Sequence, residues 1–104
     1  MNNLHALKTF CFDLDDTLCK TNGCDYDNSQ PYIERINLVN KLYNEGHTIF
    51  IDSARGSGTG IYWTAKTKKQ LDSWGLKYHK VRCGRKFAAD IYVDDKAFNS
   101  EDYF

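Results

Sequence analysis

The sequence predicts an α/β domain built on a short parallel sheet, and three observations lead there. Short apolar runs alternate with amphipathic stretches of helical spacing from one end of the chain to the other. Two of the runs, Phe10-Cys11-Phe12 and Ile49-Phe50-Ile51, lack polar alternation, as strands covered on both faces do. These runs and a third, Ile91-Tyr92-Val93, each give way to polar residues: Asp13, Asp52-Ser53 and Asp94-Asp95. With 104 residues and one proline, the chain reads as a single domain, residues 1–104, with one modest core.

The elements follow in order. After a short leader the first strand is expected over about residues 8–13. Residues 15–30 are polar and turn-rich (Thr21-Asn22-Gly23, Asp25-Tyr26-Asp27-Asn28-Ser29) and suit a flap or short hairpin. Pro31 is expected to open a helix, with Ser29 or Gln30 at the cap. Tyr32, Ile33, Ile36, Val39, Leu42 and Tyr43 recur at helical spacing, and Gly46 is a natural stop. A second strand covers residues 48–53. A flexible loop, residues 54–60, leads to a helix from about Ile61 to Trp74, with Ile61, Ala65, Leu71 and Trp74 inward, Lys66, Lys68 and Lys69 outward, and Gly75 as its stop. A third strand is expected at 77–82, a loop or single turn at 84–89, a fourth strand at 90–94, and a last short turn in the tail. The alternation predicts right-handed crossovers and a Rossmann-like, three-layer α/β/α arrangement.

Composition narrows the function classes. Fourteen basic residues balance fourteen acidic ones, so the chain lacks the electrostatic footprint of a nucleic-acid binder. No apolar run approaches the length of a membrane span, and the start lacks a signal-peptide plan; a cytoplasmic protein is expected. The four cysteines fit reduced thiols, Cys11 as a small buried hydrophobe, and their spacing argues against a structural zinc.

In an open parallel sheet, ligands bind at the carboxyl ends of the strands. Asp13 with Asp15, Ser53, Lys86, and Asp94 with Asp95 all fall at or beside such ends, although they come from distant parts of the chain. Clustered carboxylates beside an apolar strand are costly unless positive charge meets them, which points to a cation and a phosphate. Asp13-Leu-Asp15-Asp-Thr17, the apolar strand ending in Ser53, Lys86, and the strand ending in Asp94-Asp95 resemble, in order, the four motifs of the haloacid dehalogenase-like superfamily. The resemblance spans about residues 8–97. Phe87 stands where a proline is common, and Asp16 where a glycine is. There is no room for a cap domain, so the chain resembles the small capless members.

The resemblance implies a Mg²⁺-dependent phosphatase. Asp13 would be the nucleophile and Asp15 the general acid and base. Asp13, Asp15 through its backbone carbonyl, and Asp94 would hold the metal, with Asp95 as a further ligand or a group supporting the ligands. Ser53 and Lys86 would bind phosphate oxygens, and Thr17 and Arg55 are further candidates for substrate contact. An acid at position 15 favours ester cleavage over dehalogenation, because the leaving oxygen needs a proton. The substrate class implied is a small phosphate ester, a sugar phosphate being one option and a phosphoprotein or nucleic-acid end another. A catalytically weak phosphate-binding domain, a subunit of a larger complex, and a homo-oligomer stay open. The bland readings stay open too: Asp13 and Asp15 as solvated turn residues, Ser53 as a cap, Arg55 as a strand-end cap, Lys80 as a rival to Lys86, Lys96 as a partner of the acidic pair, and the Gly56–Gly60 run as a loop rather than a phosphate cradle. Among the histidines, only His79 sits where a strand might carry it toward the site.

Overall fold

A computed structural model describes residues 6–55, 63–83 and 89–93. Four strands form a parallel sheet: β1 (Thr9–Asp13), β4 (Thr48–Ser53), β5 (Lys80–Cys83) and β6 (Ile91–Val93), in the order β5-β4-β1-β6. Two helices, α1 (Ile33–Asn44) and α2 (Thr64–Ser73), connect β1 to β4 and β4 to β5. A two-stranded antiparallel ribbon, β2 (Cys19–Lys20) with β3 (Gln30–Pro31), stands in the expected flap, with a 3-10 turn at Tyr26–Asn28 between its strands. The parallel α/β architecture is of the Rossmann-like kind the alternation predicts.

Register follows the apolar pattern. Phe10 lies level with Ile49 and Ile91, and Phe12 with Ile51 and Val93, so these residues share a face. Both crossovers move the chain the same way along the sheet. Right-handed connections therefore set both helices on that face. One core results: Phe10, Phe12, Ile49, Ile51, Val81 and Val93 cluster with Ile36 and Val39 of α1 and Leu71 of α2. Phe12, Ile49, Ile51 and Val93 are wholly buried, each worth about 1.5–3 kcal/mol on transfer from water. On the opposite face Cys11 is buried and Phe50 half-buried. The expected third layer finds no helix among the described residues.

Four local expectations are corrected. Pro31 does not open α1: it pairs with Cys19 in the ribbon, and the helix starts after an extended Tyr32. Proline tolerates an edge strand as readily as a first helical turn, and here the ribbon claims it. Helix α2 starts at Thr64 rather than Ile61, which lies outside the described residues. It turns Thr67 inward and leaves Ala65 exposed, because its inner face meets a buried arginine as well as the apolar core. The third strand begins at Lys80, three residues later than its apolar pattern suggests. His79 stands at the amino-terminal side of the sheet, where its Nδ1 accepts the Ile49 N–H at 3.0 Å, far from the strand ends that carry the acids.

Candidate active site at the carboxyl edge of the sheet

The edge is assembled by strand register. β1 ends in Asp13, which lies level with Asp52 of β4; Asp52 in turn lies level with Arg82 of β5. Ser53 closes β4 one residue further on. β6 is described as far as Val93, which lies level with Phe12, the residue before Asp13. Asp94 and Asp95 come next in sequence; they, Lys86, Lys96, the Gly56–Gly60 loop and the expected tail turn lie outside the described residues.

After Asp13 the chain turns sharply. The Leu14 carbonyl accepts N–H groups from Thr17, Leu18 and Cys19 at 3.2, 2.8 and 3.3 Å, and Asp16 N–H donates to the Cys19 carbonyl at 2.7 Å. Asp16 takes a positive φ of 66°. That left-handed conformation favours glycine, and Asp is among the few other residues that adopt it at modest cost. The turn throws Asp15 forward and drives Leu14, Thr17 and Leu18 into complete burial. Thr17 is therefore a structural residue of the turn: it is 0% exposed, its carbonyl accepts Arg35 Nη1 at 2.9 Å, and its hydroxyl has no hydrogen-bond partner among the described residues. A substrate outside the fold does not reach it in this arrangement.

Asp15 and Arg55 form the centre of the site. Arg55 Nη2 donates to Asp15 Oδ1 at 2.8 Å and Nε to Oδ2 at 3.0 Å, the two-pronged geometry that fits a guanidinium to a carboxylate. Thr21 Oγ1 donates to the same Oδ1 at 2.7 Å and shares a hydrogen bond with Ser29 Oγ at 2.6 Å. The remaining Arg55 nitrogen, Nη1, donates to Gln70 Oε1 at 2.8 Å and Thr67 Oγ1 at 3.4 Å. Gln70 Nε2 donates to the Tyr26 carbonyl at 2.7 Å, and the Arg55 guanidinium lies 4.7 Å from the Tyr26 ring centre. One side chain thus ties the turn after β1, the flap and α2 together. It is 2% exposed, whereas Asp15 keeps about a fifth of its surface in solvent, with side-chain exposures of 2% and 22%. Burying a charged pair gains little net stability, since desolvation offsets attraction; what it fixes is position.

Arg55 was expected as a candidate for substrate contact. In the structure all three of its nitrogens are engaged internally, so its direct role is to hold Asp15. Ser53 is 2% exposed, and its Oγ accepts the Arg55 backbone N–H at 3.1 Å, which makes it a cap on the strand end. Cys19 brings its thiol within 3.6 Å of Asp15 Oδ1 and 3.7 Å of the Leu14 carbonyl. Burial, with Asp15 adding to it against an opposing hydrogen bond from Thr21, pushes that thiol up to about 11. Cys19 is therefore a neutral donor to Asp15 rather than a nucleophile. Thr21, Ser29, Thr67 and Gln70 were not expected in the site. Single hydroxyls and one glutamine in a polar stretch carry no sequence signal until a buried arginine gathers them.

No three His, Cys, Asp or Glu residues gather as a metal-holding group among the described residues. The groups expected to hold a metal there, the Asp13 carboxylate and the Asp15 backbone carbonyl, are hard oxygens. That chemistry suits Mg²⁺, whereas the Asp15 carboxylate oxygens are both occupied by Arg55 and Thr21. The role expected of Asp15 toward a metal was that of its backbone carbonyl, which those side-chain bonds leave untouched.

No family model matches the chain, and no curated protein matches it. Solved structures do. An MCSG target from Vibrio cholerae matches with a TM-score of 0.72 and 25% identity over 93% of this chain and 87% of its own. A conserved protein from Bacteroides thetaiotaomicron matches with a TM-score of 0.67 and 19% identity over 88% of this chain and 78% of its own. The chain shares their fold across nearly its whole length.

Proposed function

We propose that the chain is a small, capless, Mg²⁺-dependent phosphatase of the haloacid dehalogenase-like kind. The observation that carries the reading is the meeting of Asp13, Asp15 and Ser53 at one sheet edge, delivered by two adjacent parallel strands and the turn after the first. In this reading an Asp13 carboxylate oxygen attacks phosphorus and the ester P–O bond breaks. The leaving oxygen takes a proton from Asp15. Water then attacks the aspartyl-phosphate, Asp15 recovers the proton, and inorganic phosphate departs. Ser53 and Lys86 are assigned to the phosphate oxygens. Mg²⁺, held by Asp13, the Asp15 carbonyl, Asp94 and Asp95, would offset repulsion between a dianionic phosphate and a carboxylate.

A second reading has one observation in its favour. Both Asp15 oxygens already accept hydrogen bonds, two of them from Arg55, so taking up a proton there competes with an ion pair. A phosphate-binding domain with weak turnover fits that arrangement, alone or as a subunit of a larger complex. Phosphate release from an activated aryl phosphate, with and without Mg²⁺, separates the two. Mg²⁺-dependent release by the wild type and not by Asp13→Asn supports the phosphatase. Mg²⁺ binding with no release across a panel of esters supports the binding domain.

A further inference from the structure

The two oxygens of the Asp15 carboxylate are not equivalent. Oδ1 accepts from Thr21 Oγ1 at 2.7 Å and from Arg55 Nη2 at 2.8 Å, with the Cys19 thiol a further donor at 3.6 Å. Oδ2 accepts from Arg55 Nε at 3.0 Å, its one donor among the described residues. A carboxylate offers about four acceptor sites, two on each oxygen. Oδ1 is therefore full, and Oδ2 keeps a site open.

The crowding of Oδ1 originates in the flap. Pairing of Lys20 with Gln30 in the ribbon sets the next residue on each chain, Thr21 and Ser29, side by side. Their hydroxyl oxygens lie 2.6 Å apart, and the two residues are only 5% and 6% exposed. Each hydroxyl has one hydrogen, and a carboxylate only accepts. The Thr21 hydrogen goes to Asp15, so the hydrogen between the two hydroxyls comes from Ser29. Ser29 Oγ in turn accepts from Arg55 Nη2 at 3.4 Å. The bonds run one way: Arg55 to Ser29, Ser29 to Thr21, Thr21 to Oδ1. Hydrogen bonds in series polarise one another, which strengthens the last of them. A proton placed on Oδ1 would meet these donors head-on, whereas Oδ2 has room for it.

The next step rests on the phosphatase reading above, in which Asp15 protonates the leaving oxygen. We propose that Thr21 is a positioning residue for that transfer: backed by Ser29, it fills Oδ1, fixes the rotation of the carboxylate, and leaves Oδ2 as the oxygen that passes the proton. Neither hydroxyl touches the ester. The flap thereby serves the acid directly, through the pair of hydroxyls at the end of its ribbon.

Two esters of similar shape test this. 4-Nitrophenyl phosphate and phenyl phosphate differ by one nitro group, and the phenyl ester depends more on a proton at the departing oxygen. The quantity compared is kcat/KM, which ends at ester cleavage and excludes breakdown of the shared aspartyl-phosphate. Thr21→Val keeps the shape and removes the hydroxyl. It should lower kcat/KM about tenfold for phenyl phosphate and less than about twofold for the nitrophenyl ester, the size of one lost hydrogen bond to a charged group. Thr21→Ser keeps the hydroxyl and should restore the wild-type ratio of the two esters. Ser29→Ala leaves Thr21 in place and should show the same selectivity at about two- to threefold, which carries the test if Thr21→Val folds poorly. Equal losses on both esters, or none, would mark a purely structural role and overturn the proposal while the phosphatase reading stands. A ratio in Thr21→Ser no better than in Thr21→Val overturns it too, as does wild-type release from the nitrophenyl ester alone, which would show no acid at work. No Mg²⁺-dependent release by the wild type from either ester defeats the phosphatase reading and this role with it.

Discussion

Arg55 holds both carboxylate oxygens of Asp15, at 2.8 and 3.0 Å, across 40 positions of sequence. The pair joins the turn after β1 to the chain two residues past β4, and through Thr67 and Gln70 it reaches α2. Removing one partner strands a buried charge. Arg55→Ala is therefore expected to lower stability by about 3 kcal/mol, below the largest values for such losses because Asp15 keeps some solvent. Arg55→Lys restores charge without the two-pronged geometry and recovers less than half of the loss. Urea unfolding measures both; a midpoint for Arg55→Ala equal to the wild type's would show that the pair ties nothing together.

Asp13→Asn is expected to abolish phosphate release while leaving the far-ultraviolet circular dichroism and unfolding midpoint close to wild type, since Asp13 is only half-buried at a strand end. Substantial residual release would remove Asp13 from the nucleophile's place.

Asp15→Asn separates leaving groups. An activated aryl phosphate needs little protonation, whereas an alkyl phosphate depends on it, so the alkyl ester should lose about 10²–10⁴ in rate and the aryl ester far less. Equal losses for both esters would count against Asp15 as the acid. Arg55 also loses its counter-charge in this variant, and the stability deficit should approach that of Arg55→Ala.

The core makes a contrast within one residue type. Ile51 is wholly buried under the helices and Ile33 is 55% exposed on α1. Ile51→Ala should cost about 2–5 kcal/mol and Ile33→Ala less than about 0.5 kcal/mol. Comparable losses for the two would contradict the assigned helix face.

The thiols give a pH test. Cys24 is exposed and Cys19 buried, so iodoacetamide at neutral pH should modify Cys24 in the folded protein and leave Cys19 untouched until unfolding. Burial raises Cys19 from 9.0 to about 11, and burial with a hydrogen bond to Asp72 raises Tyr78 from 10.0 to about 12. Both groups are harder to ionise folded than unfolded. Their contribution is complete below about pH 9 and is lost as pH rises, first for Cys19 toward 11 and then for Tyr78 toward 12. The unfolding midpoint should therefore fall on the alkaline side, and Cys19→Ser should lose the earlier part of that fall.

Apolar runs and their spacing were enough to specify the parallel sheet and the two helices. Burial is a property that period and composition record directly: Phe12, Ile49, Ile51 and Val93 are all wholly buried, as their runs require. The turn chemistry was also legible, since Gly46 and Gly75 end α1 and α2 with φ of 100° and 73°. Tertiary structure alone decided where Arg55 goes. A lone arginine after a strand reads the same whether it reaches solvent, substrate or a carboxylate. Its partners Asp15, Ser29, Thr67 and Gln70 come from three segments, the turn after β1, the flap and α2, that only the folded chain brings within hydrogen-bond distance. The same holds for Pro31, which suits a helix start and an edge strand equally until Cys19 pairs with it. Local chemistry carries information about which surface is buried; long-range polar contacts depend on geometry that no short stretch of sequence contains.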